Sequence, residues 1–224
     1  MRILFMKRFF SRHRGFWNSD RRRSLYIGLL LLGVSLVLHV QAGYYSARSA
    51  ALSNFVGDVF LDNIPPLDID FLVVQGALLF WVAFLMLLAA RPQYLLFGVK
   101  AIALFIIFRS FFVSLTHIGV YPEQIPFDSG VGVHLYNLFT FQGNFFFSGH
   151  TGLPFLLALV FWHERPWRLF FLVSSLVFGI AVLLAHIHYS IDVFSAPFIT
   201  YAIFCIGKKL FPRDYALIEA AQLA

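Results

Sequence analysis

Residues 24–44 read SLYIGLLLLGVSLVLHVQAGY, a stretch of 21 residues that contains no Asp, Glu, Lys or Arg. A helix of about 20 apolar residues crosses the roughly 30 Å of hydrocarbon in a bilayer. The whole chain has the same character: 60% of its 224 residues are hydrophobic, 12% are charged, and the mean hydropathy is +0.79. A soluble domain carries about 25% charged residues. The sequence therefore predicts an all-α, polytopic membrane protein.

Further apolar stretches along the chain predict six transmembrane helices in all. The expected spans are 24–44, 70–90, 94–115, 149–163, 167–187 and 190–211. The fourth is short and could begin within FFFSG. This divides the chain into a basic N-terminal segment (1–23), a six-helix transmembrane domain (24–211) and a short tail (212–224). The single Cys205 excludes a disulfide framework within the chain.

The basic residues predict the orientation of these spans, because cytoplasmic loops are enriched in Lys and Arg. They cluster in 1–23, in the two tight loops after the second and fourth spans, and after the sixth span. We expect both termini in the cytoplasm and the long loops 45–69 and 116–147 on the exoplasmic side. The net charge of +6 then reflects topology and not nucleic-acid binding. The alternative for residues 1–45 is a cleaved signal peptide.

Ionisable residues at membrane depth invite a functional hypothesis because they are costly to bury there. Five such residues fall at one level on the expected exoplasmic side of the spans, and they are Arg109, His150, His186, His188 and Asp192. This level predicts an active site at the exoplasmic surface. In a bacterium the site would face the periplasm from the inner membrane, and in a eukaryote it would face the lumen or the exterior.

The residue types in this group suit phosphoryl transfer. His188 and Asp192 are one helical turn apart, so the carboxylate can orient the imidazole and fix its tautomer. Ser148, Gly149 and Thr151 lie at an expected helix start, where backbone N–H groups bind phosphate oxygens. An arginine offers a planar, permanently charged fork for the same oxygens.

Other interpretations fit parts of the pattern. His150, His188 and Asp192 could supply three ligands for zinc, although no known zinc motif is present. The His188–Asp192 pair could join two helices, and Arg109 could extend toward the lipid headgroups. For His186, a packed or interfacial position is favoured over a catalytic one. A non-catalytic transporter or scaffold also stays open, although a transporter would carry its charges nearer the midplane.

The motifs FSGHT (147–151) and HYSID (188–192) together resemble the sphingomyelin synthase branch of the type 2 phosphatidate phosphatase (PAP2) superfamily. PPLDID (65–70) and RSFFVSLTHIGVYP (109–122) resemble further segments of that branch. The resemblance covers roughly residues 63–195 and implies six spans with an exoplasmic site. One departure from the classical phosphatases is Val182, which stands where they carry an arginine.

The resemblance and the chemistry together imply a metal-independent double displacement without a cofactor. His188, oriented by Asp192, would attack a phospholipid donor to form a phosphohistidine, and His150 would act as the general acid and then as the base. Arg109, Ser148, Gly149 and Thr151 would bind the phosphate. The acceptor would be a lipid alcohol such as ceramide.

With water as the acceptor, the same site would be that of a phospholipase C-type hydrolase or a lipid phosphate phosphatase. The synthases carry Gly-Asp ahead of SGHT, whereas this chain has Gly143 and Asn144. We expect Asp68, Asn144 and Tyr189 near the headgroup or the entrance of the site.

Overall fold

A computed structural model describes residues 15–115, 117–125, 133, 140–141, 143 and 146–221. Every regular element in these residues is helical, which confirms the predicted all-α class. The helices are α1 (Ser19–Ala50), α2 (Ala77–Ala90) with a π-helical segment (Leu72–Gly76) directly before it, α3 (Pro92–Leu115), α4 (Gly149–Val160), α5 (Arg165–Leu184), α6 (Ser190–Leu210) and α7 (Pro212–Ala220).

Five stretches of these helices are long and apolar enough to cross a membrane. They are α1, the combined segment Leu72–Ala90, α3, α5 and α6. This is consistent with a multi-pass membrane protein. Two exposed tyrosines of α1, Tyr26 and Tyr44, lie 18 residues apart, which is a rise of about 27 Å along the helix. This distance is close to the thickness of the hydrocarbon core of a bilayer. Tyrosine is enriched at both membrane–water interfaces.

The fourth predicted span is shorter than expected. Helix α4 has 12 residues and a length of about 18 Å, and it ends at Val160 rather than near residue 163. Its side chains are almost fully enclosed, because Leu156, Leu157 and Ala158 have no exposed surface. α4 packs against α3, α5 and α6 at the centre of the bundle. A helix enclosed by its neighbours does not need the length that lipid contact demands.

Helix α5 ends three residues before the predicted boundary at 187. Ala185 caps the helix, and His186 follows in the left-handed region with φ 55°. Helices commonly end with a residue in this conformation, and histidine adopts it more readily than most side chains do. The chain then turns sharply, so that the HYSID motif begins in the connection between α5 and α6 and not inside a helix.

The expected tail 212–224 contains a helix that packs on the bundle. Asp214 and Ile218 of α7 are buried. Asp214 forms an ion pair with Lys100 of α3, and its other carboxylate oxygen accepts a hydrogen bond from Ser24 of α1 at 2.7 Å. A second ion pair, Arg91–Glu164, joins the two tight loops that precede α3 and α5.

Candidate active site

The start of α4 is fastened to the first turn of α6. Ser148 is the N-cap residue of α4, and its hydroxyl accepts hydrogen bonds from the backbone and the side chain of Thr151. The Ser148 amide donates to the carbonyl of Asp192 at 3.0 Å. Ser and Thr are favoured at helix starts because they satisfy such amides. The amides of Ser148 and Thr151 are thus engaged within the protein, and these bonds fix the start of α4 beside α6.

Arg109 lies at the same place, buried on α3 near the beginning of α4. Its Nε donates to the carbonyl of Phe147 at 2.8 Å. A Cβ at Gly149 would stand 3.4 Å from this nitrogen, an ordinary contact distance, so the guanidinium lies directly against the first turn of α4. The structure thus brings a permanent positive charge to the helix start that contains Ser148, Gly149 and Thr151.

His188 and Asp192 are in contact, but not as neighbours on one helix. The Nδ1 of His188 is 3.3 Å from Oδ2 of Asp192, and the same oxygen accepts the Tyr189 amide at 3.0 Å. Tyr189 is the N-cap residue of α6, so Asp192 acts from the first turn of that helix on the segment before it. The expected pair therefore forms by a helix-capping arrangement, which the four-residue spacing also permits.

The ring of His150 faces that of His188. Their centroids are 6.4 Å apart, and both Phe178 and the guanidinium of Arg109 are near His150. His150 also hydrogen-bonds to the backbone of Val73, within the π-helical segment. Such segments are frequent at functional sites. The segment before α2 thus also contacts the His150 ring, in addition to α4 and the segment before α6.

Asp58 supports the candidate site, although the sequence analysis did not single it out. Its Oδ2 accepts the Ser190 amide at 2.7 Å, and its Oδ1 accepts the amides of Phe60 and Leu61. Burial raises the pKa of this carboxyl, but the hydrogen bonds from Ser190, Phe60 and Leu61 outweigh it, and the pKa is lowered overall. Ionised Asp58 therefore interacts favourably with the N-terminal end of α6, which carries the positive end of the helix dipole. In the sequence, the only local indication of this role is that Asp58 stands directly before three apolar residues in a loop.

The predicted headgroup residues lie in different surroundings. Tyr189 is 2% exposed, and its hydroxyl donates to the carbonyl of Gly119 at 2.8 Å, which favours a structural role over headgroup contact. Asp68 is exposed in the extended segment before α2. Asn144 lies outside the residues that the structure describes.

His186 is a packed residue in this structure. It is buried, its Nε2 is 2.9 Å from the carbonyl of Ile64, and its ring meets that of Tyr121 edge-on. This agrees with the packed interpretation. As for the zinc alternative, the described part of the chain holds no group of three or more His, Cys, Asp or Glu residues suited to a metal ion.

Comparison with known protein families gives a match in the C-terminal half of the chain. A family model described as PAP2 superfamily C-terminal matches residues 143–209, which is 67 of the 224 residues. The matched part includes α4, α5 and all but the last residue of α6, with His150, His188 and Asp192. No curated protein and no solved structure matches significantly. The match supports the PAP2 superfamily, whose members typically are phosphatase-like enzymes, and does not distinguish the sphingomyelin synthase branch.

Proposed function

We propose that this protein, which its match links to the PAP2 superfamily, is a membrane lipid phosphotransferase. It moves a phospho-headgroup from a glycerophospholipid to a lipid alcohol of the ceramide type, as in the sphingomyelin synthase-like branch. Superfamily membership suggests phosphatase or phosphotransferase chemistry in general. The observation that carries the proposal is the pair of facing rings, His150 and His188, beside a buried arginine and a helix start.

The two rings are close enough to act on one phosphoryl group. Before reaction, the phosphorus stands about 3 Å from the attacking nitrogen, and the leaving oxygen about 3 Å from the general acid. Ring centroids 6.4 Å apart put both rings within reach of a phosphoryl group that lies beside them. The guanidinium of Arg109 and the amides that begin α4 then bind the phosphoryl oxygens, where negative charge develops.

In the first step, Nε2 of His188 attacks the phosphorus and the bond to the diacylglycerol oxygen breaks. His150 gives its proton to that oxygen. Asp192 stabilises the positive charge that develops on the His188 ring, because it contacts Nδ1. The products of this step are diacylglycerol and a headgroup-bearing phosphohistidine.

In the second step, the hydroxyl of the acceptor lipid loses its proton to His150 and attacks the phosphorus. The N–P bond breaks, and His188 is regenerated with the headgroup on the acceptor. If water takes the place of the alcohol, the same two steps describe a phospholipase C-type hydrolase or a lipid phosphatase. Neither version requires a metal or a cofactor.

We further propose the membrane arrangement that the basic residues predict. Six segments would span the membrane, with α4 as the short one, both termini in the cytoplasm and the site at the exoplasmic surface. In a bacterium this is the periplasmic face of the inner membrane. The cluster of Arg21, Arg22 and Arg23 at one end of α1 supports this orientation, and the tyrosines near both ends of α1 support its span.

The test uses purified full-length protein in detergent with EDTA, a headgroup-labelled phospholipid mixture, and ceramide present or absent. Thin-layer chromatography then follows the label. We expect label on ceramide, and a covalently labelled protein when ceramide is omitted. His188→Ala should lower both by about 10³-fold or more, because it removes the nucleophile.

His163→Ala is the matched control, since His163 is exposed in the loop between α4 and α5. It should leave both signals unchanged. Water-soluble phospho-headgroup as the sole product would identify a phospholipase C, and inorganic phosphate released from phosphatidate would identify a phosphatase. Equal covalent labelling of the wild type and His188→Ala would show that His188 is not the nucleophile.

A further inference from the structure

A short turn in the loop between α1 and α2 exposes a cluster of apolar side chains. Residues 55–60 read FVGDVF and are called the apolar turn below. Val59 is 73% exposed, Phe55 52%, Val56 48% and Phe60 38%. Contiguous apolar surface of this kind marks an interaction site with a protein or a membrane.

The apolar turn is held rigidly by its own polar residue. Asp58 accepts the amides of Phe60 and Leu61, and the Asp62 amide donates to the Asp58 carbonyl at 2.8 Å. Leu61 is buried, with 3% of its surface exposed. Because Asp58 and Leu61 face the protein, Val59 and Phe60 between them are directed outward. The exposure of Val59 and Phe60 therefore results from the hydrogen bonds that fix the backbone of the apolar turn.

The apolar turn continues the lipid-facing surface of α6. The ring of Phe60 lies 5.4 Å from that of Phe194, one helical turn into α6 from its start at Ser190. Phe194 is itself 53% exposed, and Ile191 and Phe198 on the same helix are 58% and 79% exposed. Phe60 thus lies beside the first turn of a helix that is long and apolar enough to span a membrane, next to the exposed apolar side chains of that helix.

The charges near the apolar turn indicate which kind of membrane surface it meets. Between Arg48 and Arg91 there is no Lys or Arg, and the four charged residues are Asp58, Asp62, Asp68 and Asp70. An acidic segment is repelled by anionic headgroups and is compatible with zwitterionic ones.

We propose that the apolar turn is inserted into the headgroup–acyl boundary of the leaflet that contains the active site. Val56, Val59 and Phe60 enter the boundary, as the apolar face of an interfacial segment does. Asp58 also accepts the Ser190 amide, two residues from His188, so the inserted turn holds the catalytic segment at the level of the lipid phosphates. This last consequence, that the substrate is a lipid resident in the same leaflet, rests on the proposed function.

The experiment measures the depth of the apolar turn in phosphatidylcholine bilayers. In a Cys205→Ser background, which has no other cysteine, single-cysteine variants Val56→Cys and Val59→Cys carry an environment-sensitive fluorophore. Leu79→Cys on α2, 71% exposed, is the lipid-facing control, and Glu123→Cys, exposed in another loop, is the aqueous control. Lipids brominated on the acyl chain quench labels inside the membrane, and iodide quenches labels in water.

We expect brominated lipid to quench the labels at positions 56 and 59 several-fold more strongly than the label at 123, and close to the extent seen at 79. Iodide quenching should show the reverse order. Labels at 56 and 59 that behave like the label at 123 would overturn the proposal. Two positions are labelled so that the misfolding of one variant, detected by size-exclusion chromatography, leaves the other to decide.

The quenching requires no turnover, so it is independent of the catalytic assay. Membrane quenching in a protein that transfers no headgroup would contradict the proposed function and leave the inserted turn intact. Headgroup transfer in a protein whose labels are quenched only by iodide would support the proposed function and contradict the inserted turn.

Discussion

Arg109 has a structural contact in addition to the phosphate-binding role proposed for it. A charge inside a membrane-spanning helix is costly unless it has partners, and here Nε donates to the carbonyl of Phe147. The guanidinium is planar and has five N–H donors in a fixed geometry, which suits it to a phosphate better than an ammonium group. The proposed role therefore predicts that the position requires an arginine in particular and not only a positive charge.

Replacing Arg109 with Lys tests this assignment. Arg109→Lys keeps the charge but loses the fork, and we expect kcat for headgroup transfer to fall by roughly 10²–10³-fold, the usual cost of losing one transition-state donor. Steady-state kinetics with a labelled donor lipid would measure the loss. Arg48→Lys, an exposed position, is the matched control and should change kcat little. A kcat for Arg109→Lys within twofold of the wild type, about 0.4 kcal/mol, would contradict the role in phosphate binding.

Among the elements, α4 depends on close packing at one glycine. A Cβ at Gly152 would stand 2.7 Å from Cε2 of Phe105 on α3 and 2.9 Å from Oγ1 of Thr200 on α6. Both neighbours are buried, so neither side chain has space into which it can move. The absence of a side chain at this position lets three helices meet two residues after His150.

Gly152→Ala should therefore destabilise the protein, although alanine is the better helix former. Overpacking of this kind costs about 1–3 kcal/mol. Gly33→Ala is a matched control, because a Cβ at Gly33 on α1 meets nothing within 4 Å. There the change should stabilise by about 0.5–1 kcal/mol. Reversible unfolding by SDS titration would measure both, and effects of the same sign would disprove the packing argument for α4.

At the scale of the whole molecule, a buried polar group joins the two ends of the chain to the bundle. Lys100 of α3 is 4% exposed and pairs with Asp214 of α7, and its Nζ also donates to Ser24 of α1 at 2.6 Å. A buried charge left without its partner is strongly destabilising, whereas removal of both charges together is often nearly neutral. The three helices are thus coupled through one ion pair.

Lys100→Met should destabilise the fold by about 3–5 kcal/mol, since it leaves the carboxylate of Asp214 buried and unpaired. The double variant Lys100→Met with Asp214→Asn should recover a large part of this loss. Arg91→Met breaks the more exposed pair with Glu164 and should cost only about 0–1 kcal/mol. SDS unfolding of the single and double variants gives the coupling energy. Losses that simply add would show that Lys100 and Asp214 act independently.

The class of the fold could be predicted from the sequence because it is a local property. An apolar stretch long enough to span a bilayer must satisfy its backbone groups internally, and a helix does this with neighbouring residues. The contact between His188 and Asp192 could also be predicted, because the two residues are only four positions apart. They meet through the capping of α6 and not as neighbours on one helix, but either geometry brings them together.

Only the tertiary structure decided which distant residues support the site and which ones join the helices. The Ser190 amide meets Asp58, 132 residues away, and Lys100 meets Asp214, 114 residues away. Neither pair has a local pattern, because each contact depends on how helices and loops pack in three dimensions. The length of α4 was decided in the same way, since enclosure by α3, α5 and α6 removed its contact with lipid. Local propensity determined the helices of this protein, and long-range packing determined what holds the residues of its candidate site.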